Sequence, residues 1–494
     1  MSSTGTILAS GTRASLRYCR ESTRNATPAA LTTPVTSIGA TATAPAGAGF
    51  SLFTRASGSF VDDGFFRGQK IVTSGFTNAA NNGTWRVWGV TATVLSVLDD
   101  NDVIVDETAA TAQTARIALS TLRATGRNVN LEKNLLESEE VDADGMETDV
   151  RHGFNRVVGS PGFQLSREDY DDFIEFAMGR EWDTDIAVTG SPDMGVSSAG
   201  GFTRAAGSFI TDGFRPGDII RTTLFDTANN GDWRVTAVAA TELSVVSTTD
   251  GTTTPSSESE ASGKSLVFPG KRIDIGTDIC TFLLERAFSD ISEYQVFNGV
   301  AVNEMQLSVE PESIIGGSFG LLGMSAVALA SSSTSAIDPI AANGTSPLAA
   351  FDGEIYEGGT RYAVATSLDF TLSRNRSLNP VIGSRFSPDV FGGQANIQGT
   401  LNVYFENETL FNKFVNETES TIWTRFDDPN VAGEFMSIVF PRVKYNGGAI
   451  DPPQEGPIAI EMPFRALKQS GLAVAGGTTR PSFLTIQVSN SLNV

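Results

Sequence analysis

An internal duplication limits what this chain can fold into. The segment Thr54-Arg55-Ala56-Ser57-Gly58-Ser59-Phe60-Val61-Asp62-Asp63-Gly64-Phe65 returns as Thr203-Arg204-Ala205-Ala206-Gly207-Ser208-Phe209-Ile210-Thr211-Asp212-Gly213-Phe214. Both copies run on to an Asn-Asn-Gly-x-Trp-Arg-Val element, Asn81 to Val87 and Asn229 to Val235. The spacings from Phe60 to Phe209 and from Trp85 to Trp233 differ by a single residue, so the unit has kept its length. A stacked solenoid needs about three or more repeats. Two copies instead predict separate small modules, at 48–113 and 196–263, set into a larger framework that carries the function.

Each module reads as β structure. Gly68-Gln69-Lys70-Ile71-Val72 and Gly217-Asp218-Ile219-Ile220 leave glycine turns as strands, and Leu95-Ser96-Val97 and Leu243-Ser244-Val245 close them. Asn82-Gly83 and Asn230-Gly231 predict type I′ hairpin turns, in which both central residues have positive φ. Trp85 and Trp233 are the expected core anchors of a small sandwich or barrel. The Thr/Ala/Pro/Gly-rich stretch from Thr32 to Gly49 reads as a linker.

In the framework, Ser15 to Arg20 and Ala118 to Val129 predict strands, the second leading into a long polar arm that returns at Gly162-Phe163-Gln164-Leu165. A helix follows, with Ser166 and Asp169 spaced as a capping box and Tyr170, Phe173, Ile174 and Ala177 on one face. The second half has the same order. Ser367 to Leu372 is a strand, a polar arm runs to about Asn396, and Gly399 to Tyr404 returns to a helix with Leu410, Phe411, Phe414 and Val415 on one face. Met305, Leu307 and Val309 alternate in one half as Ile458, Ile460, Met462 and Phe464 do in the other, which points to an older duplication of the framework.

Catalytic chemistry has no foothold in this sequence. His152 is the one histidine, and no nucleophile elbow, phosphate loop or His/Cys metal cluster is present, so no catalytic, cofactor or metal residues are assigned. Asp62-Asp63-Gly64 aligns with Thr211-Asp212-Gly213, keeping one carboxylate of two, which fits a turn better than a calcium site. Cys19 and Cys280 read as isolated buried thiols. A net charge of −22 argues against nucleic-acid binding, while letting a polyanion slide past. The start of the chain has no export signal and no apolar run nears the ~20 residues of a spanning helix, so a soluble protein made in a cytoplasm is expected.

The charged feature that stands out is the first polar arm, with Glu137, Glu139, Glu140, Asp142 and Asp144, against Arg374, Arg376 and Arg385 in the matching arm of the second half. Opposite signs at equivalent places suit contacts between copies, so these residues are the candidates for acidic and basic arms that meet across a subunit or ring boundary.

Tyr18-Cys19-Arg20-Glu21-Ser22-Thr23, the arm Asn134-Leu135-Leu136-Glu137-Ser138, and Ser166-Arg167-Glu168-Asp169-Tyr170-Asp171-Asp172-Phe173 resemble the tail tube proteins of long-tailed bacteriophages. The likeness covers the first half best and the second half by its order of elements. Modules like the two inserts also occur in phage tail subunits. The resemblance implies a mainly β fold with two tube-type β-sandwich domains, each with a flanking helix, plus the two small inserted β modules. The first tube domain would be discontinuous, 1–47 with 114–195 and 264–345, and the second would be 346–494. It further implies a structural subunit that polymerises into stacked rings, a conduit for DNA ejection in a non-contractile virion tail, assembled in the host cytoplasm. The fused plan is a trimer with pseudo-six-fold symmetry, the alternative a hexamer. Implied partners are further copies, the tape-measure protein and the tail terminator and tip proteins. DNA would pass the lumen without specific binding, and no membrane is involved. The rival expectation is a β-rich adhesin or other cell-surface binding protein, which the missing export signal disfavours.

Overall fold

The computed structural model describes residues 11–42, 50–99, 103–138, 146, 149–184, 186–188, 193–335, 337–362, 364–450 and 452–489. The chain is mainly β, and the helices are short. The framework elements are β1 (Ala14–Arg20), β2 (Val129–Glu137), β3 (Val150–Gly159), α1 (Asp171–Met178), β4 (Phe282–Phe288), β5 (Glu293–Val309), β6 (Gly316–Gly323), β7 (Ala365–Ser373), β8 (Asn396–Tyr404), α2 (Thr409–Val415), β9 (Ser420–Asp427), β10 (Phe435–Tyr445), β11 (Ala459–Ala466) and β12 (Thr485–Val488).

The two halves pair their strands in the same order. In the first, β2 pairs with β3, β3 with β6 and β6 with β5; in the second, β7 pairs with β8, β8 with β11 and β11 with β10. The hairpin β4–β5 has its counterpart in β9–β10, flanked by β1 in one half and by Gly353–Glu357 in the other. An antiparallel ladder between β5 and β7, from Glu304 opposite Ser373 to Val309 opposite Leu368, joins the halves into one wall.

Period-two alternation decides which face of the wall is buried. Met305, Leu307, Leu368, Phe370, Leu372, Ile397, Leu401, Ile460, Met462 and Phe464 all enter one continuous core. Ile458, grouped with them by pattern, precedes the strand and is exposed.

Helix α1 packs Phe173, Phe176 and Ala177 into that core and stops at Gly179, whose φ of +64° ends the helix in a left-handed turn. The expected capping box does not form. The helix begins after Tyr170, with no side-chain cap, and Ser166 Oγ donates to Asp169 Oδ2 at 2.8 Å within the preceding loop, where Arg123 also pairs with Asp169. In α2 Leu410 is buried and Phe411 and Phe414 pack against the core, but Val415 is exposed. Of the strand expected over Ala118 to Val129, Ser120–Leu122 forms a strand against β1, and β2 begins at Val129.

The first module is a closed barrel of Val35–Ala42, Phe50–Arg55, Lys70–Ser74, Gly83–Val90, Val94–Leu98 and Glu107–Ile117. Its first strand lies in the stretch expected to be a linker. Val35, Ile38 and Ala40 supply the inward residues that Thr and Gly between them disguise. The second module is a seven-stranded sheet between Met194 and Val267.

The repeated motif does the same work in both modules. Arg55 pairs with Asp63 and lies over the Phe60 ring, and Arg204 pairs with Asp212 and lies over Phe209, so the aligned aspartate is a turn clamp. The Asn-Asn-Gly segment is no type I′ turn. Asn82 has φ −93° and Asn230 φ −85°, each closing a 3-10 turn, and the asparagine side chains hold the neighbouring loop. Asn229 is fully buried; its Oδ1 accepts from Ser256 N at 2.8 Å and its Nδ2 donates to Ser256 O at 3.0 Å and to Glu258 Oε2 at 2.8 Å. Trp233 is buried as expected, whereas Trp85 is only half-buried, its Nε1 donating to Thr73 Oγ1 at 2.8 Å.

Asn229→Ala leaves those backbone groups without their partners. Since a hydrogen bond contributes about 0.5–1.5 kcal/mol net and Asn229 makes three, the variant should lose about 2–3 kcal/mol in denaturant unfolding of the second module; a loss below about 0.5 kcal/mol would contradict the clamp.

Candidate assembly surfaces

The two sequence blocks at Tyr18 and at Asp171 meet in one buried polar cluster. Tyr18 OH donates to Asp172 Oδ2 at 3.0 Å, and Arg20 pairs with both Asp172 and Glu175 on α1. Arg86, from the Trp-Arg-Val element of the first module, reaches the same carboxylates at 3.1 Å each. Burial alone would raise the Asp172 pKa, but Arg86 and Arg20 outweigh it and hold the carboxyl down to about 2. Gln69 Nε2 completes the docking by donating to Arg20 O at 2.7 Å. The second half has a strand-to-helix clamp with the signs exchanged: Lys413 Nζ on α2 donates to Glu357 Oε2 at 2.6 Å.

The second module is tied down by its own ion cluster. Arg272 Nη1 donates to Asp218 Oδ2 at 2.7 Å, and Arg215 Nη1 to Asp274 Oδ2 at 3.0 Å, all four side chains being buried. Gln487 on β12 accepts from Ile219 N at 2.9 Å, so this module is fastened to both halves. Spacing alone did not single out these docking residues. The repeated arginine of Trp-Arg-Val was the available signal.

Glu21 is buried where β5 bends. Its carboxylate accepts from Gly299 N at 2.8 Å and Asn25 N at 3.0 Å, and Gly299 has φ +63°. Burial pushes its pKa up to about 7 against these lowering hydrogen bonds.

The candidate arm residues divide. Arg374 and Arg376 are buried, not displayed on the arm. Arg374 donates to Met178 O at 3.4 Å and Gly276 O at 2.8 Å, and Arg376 to Phe176 O at 3.1 Å and Val302 O at 2.6 Å. They therefore satisfy carbonyls at the C-terminal end of α1, where the helix dipole favours cations. A contact from these two guanidiniums to another copy is accordingly corrected to a contact between the halves of one chain. Arg385 is exposed, and its carbonyl accepts from Asn155 N at 2.9 Å at the bulge in β3, so the second arm leans on the base of the first. Glu137 is exposed at the end of β2. Glu139, Glu140, Asp142 and Asp144 lie outside the described residues. Apolar groups stand out around the arms: Leu135, Leu136, Val150, Val381 and Ile382 are exposed. His152 is exposed on β3, and Cys280 is only half-buried while Cys19 is buried; both are free thiols.

Opposite the core, the wall is polar. Across β5, β7 and β8 this face shows Glu304, Gln306, Ser308, Asp369, Thr371, Gln398, Thr400 and Asn402, with two acids and no Lys or Arg. A depression of about 460 Å³ opens on it, lined among others by Gln306, Ser308, Asp369, Thr371, Gln398 and Thr400. Both flanks of the wall remain open. Among the described residues β2 has a ladder only with β3, and beyond β10 the segment Ala449–Ile450 has one only with β11. Such edges are templates for pairing with another chain.

A β wall with open edges, a polar face and apolar arms defines a structural subunit made to associate with copies of itself. Residues 11–466 match the family of phage tail tube proteins. The chain belongs to that family: it is a structural subunit of the virion tail that assembles into the tail tube. No curated protein matches the chain. Among the described residues no helix is long and apolar enough to cross a membrane.

Because the Glu21 pKa rises to about 7 from 4.5, the stability it allows is fully present below the unfolded value and is lost as pH rises through the folded one. That difference amounts to about 3 kcal/mol at most. Glu21→Gln, neutral throughout, should flatten the fall in melting temperature between about pH 5 and pH 8; an unchanged slope would contradict this role.

Proposed function

We propose that this subunit carries two fused tube units, three chains forming a ring with pseudo-six-fold symmetry, and that stacked rings make a non-contractile conduit for DNA ejection. The observation that carries the reading is the β5–β7 ladder between halves of like strand order. It serves as the internal copy of the seam between subunits, in which the open edge of β2 would meet the segment following β10 of the next copy. Six chains each contributing one such wall would make a ring twice as wide in strand count, which is why three is preferred over six.

On this reading the polar face lines the lumen. Its acids and neutral amides and hydroxyls carry no Lys or Arg over β5, β7 and β8, while on the flanking strands Arg156 of β3 is paired with Glu132 and Arg465 of β11 stands opposite Gln398, so the centre of the face offers passing phosphates no cation. The core face and the two modules then lie outward, the modules as decoration. The domain division follows the sequence-based one with the module bounds moved outward, the barrel strands of the first module running from Val35 to Ile117 instead of 48–113 and the sheet of the second from Met194 to Val267 instead of 196–263, with 346–494 as the second tube unit. Assembly takes place in the host cytoplasm, with the tape-measure protein inside the tube and terminator and tip proteins at its ends.

The arms stack ring on ring. The first arm, ending in Glu137, alternates around the rim with the second, whose exposed arginine is Arg385, and the contact of Arg385 O with Asn155 N joins them within a chain. Glu137 and Arg385, both exposed, remain the charged candidates for the contact between copies. Arg385→Glu should fold normally yet lower polymer yield, about tenfold for a penalty of 1.4 kcal/mol per contact. Adding Glu137→Arg should restore polymer, as measured by sedimentation. Normal polymer in the single variant, or no recovery in the double, would contradict the arm pairing.

A further inference from the structure

The two modules dock through equivalent faces, and only one docking crevice is filled. In the first, Arg86 is paired with Asp172 and Glu175, and the remaining space between Arg67, Trp88, Glu181 and Trp182 is about 90 Å³. One repeat later, Arg234 stands at the corresponding place in a crevice of about 580 Å³ between the second module and the framework. Its wall is largely apolar, with Phe214, Trp423, Val439, Pro441 and Leu472, and it contains no Asp or Glu.

Arg234 is 7% exposed and has no ion pair among the described residues. One bond, from Nη2 to Gly359 O at 3.2 Å, and the rings of Tyr356 and Trp423, 4.7 and 5.3 Å from the guanidinium carbon, are its partners; Nε has none. The other arginine in the lining, Arg215, is already held by Asp274 and Asp218. Other buried arginines without a carboxylate, Arg374 and Arg376, each satisfy two carbonyls, including those at the end of α1. Ring faces offset part of the cost of burying a cation, but a buried guanidinium with one carbonyl is poorly compensated.

We propose that this crevice is a binding pocket for a small organic carboxylate with an apolar body. Arg234 would supply the charge-assisted bond, and the Phe214, Trp423 and Leu472 side would take the hydrocarbon. A guanidinium fork matches the planar carboxylate. A phosphate, with more oxygens to satisfy, would find only this one uncommitted cation. The pocket also gives an anion a local exception on a chain of net charge −22. The first module provides the internal precedent, since there the chain's own Asp172 and Glu175 fill the equivalent role.

The test uses the full-length protein titrated with hexanoate, benzoate and the neutral isostere hexanamide, by calorimetry and ligand-observed NMR. The carboxylates should bind saturably, with hexanamide weaker by about tenfold or more, as expected for loss of a charge-assisted bond. Arg234→Gln should remove the difference, and Arg234→Lys, which keeps the charge but loses the fork, should weaken hexanoate several-fold. Equal binding of acid and amide to the unaltered protein, or no binding of either at millimolar concentration, would overturn the proposal without relying on the fold of a variant. Neither outcome bears on ring symmetry.

Discussion

The wall depends on one backbone ladder. Where β5 meets β7, hydrogen bonds between main-chain groups turn two four-strand sets into a single surface with one buried and one polar face. Backbone pairing is indifferent to side-chain identity, so the halves can diverge in sequence and still present the same edges. The alternation of Met305 and Leu307 against Gln306 and Ser308 then fixes the register, because a slip of one residue would turn the core face outward.

Ion clusters fasten the inserts to this wall alongside apolar contacts, Ile219 with Trp423 and Val439 for the second module and the first module's core with Cys19 and Leu283. Each module offers a glycine turn and the arginine of Trp-Arg-Val to the framework. The response differs: two carboxylates on α1 for the first module, two aromatic rings for the second. Buried ion pairs are weak evidence for stability as such, since desolvation offsets most of their attraction. Their geometric demand is what counts here, because a module rotated on its seat would part Arg86 from Asp172 and Glu175, or Asp218 from the buried Arg272. The second arm works similarly. Arg374 and Arg376 close the end of α1 and so lock the second half to the helix of the first.

Much of the fold was legible because it rests on period-two patterning and on order of elements. The β5, β7, β8 and β11 core positions are plain in the sequence, as are both helices. What stayed hidden has physical causes. The strand Val35–Ala42 is written in Thr, Gly and Ala, since a small barrel tolerates few large side chains there. The Asn-Gly pairs mimic a hairpin signal, yet Asn82 and Asn230 accept from Phe76 N and Phe225 N while the preceding Asn81 and Asn229 bond across to Val105 and Ser256, and these bonds override the turn preference. Charge counting placed Arg374 and Arg376 on a surface because a sequence does not show that a helix end, 200 residues earlier for Phe176 and Arg376, needs its carbonyls satisfied. Of the candidate assembly surfaces, the two arms were visible in the sequence, while the burial of Arg374 and Arg376 and the open edges of β2 and Ala449–Ile450 appear only once the other strands have found their neighbours.

The decisive measurement is a cryo-electron microscopy reconstruction of the assembled tube at a resolution that traces strands. The account predicts three chains per ring, a continuous inner barrel in which β2 pairs with the segment after β10 of the neighbouring chain, and both modules on the outer surface. Six chains per ring, or β2 left unpaired along the lumen wall, would contradict it.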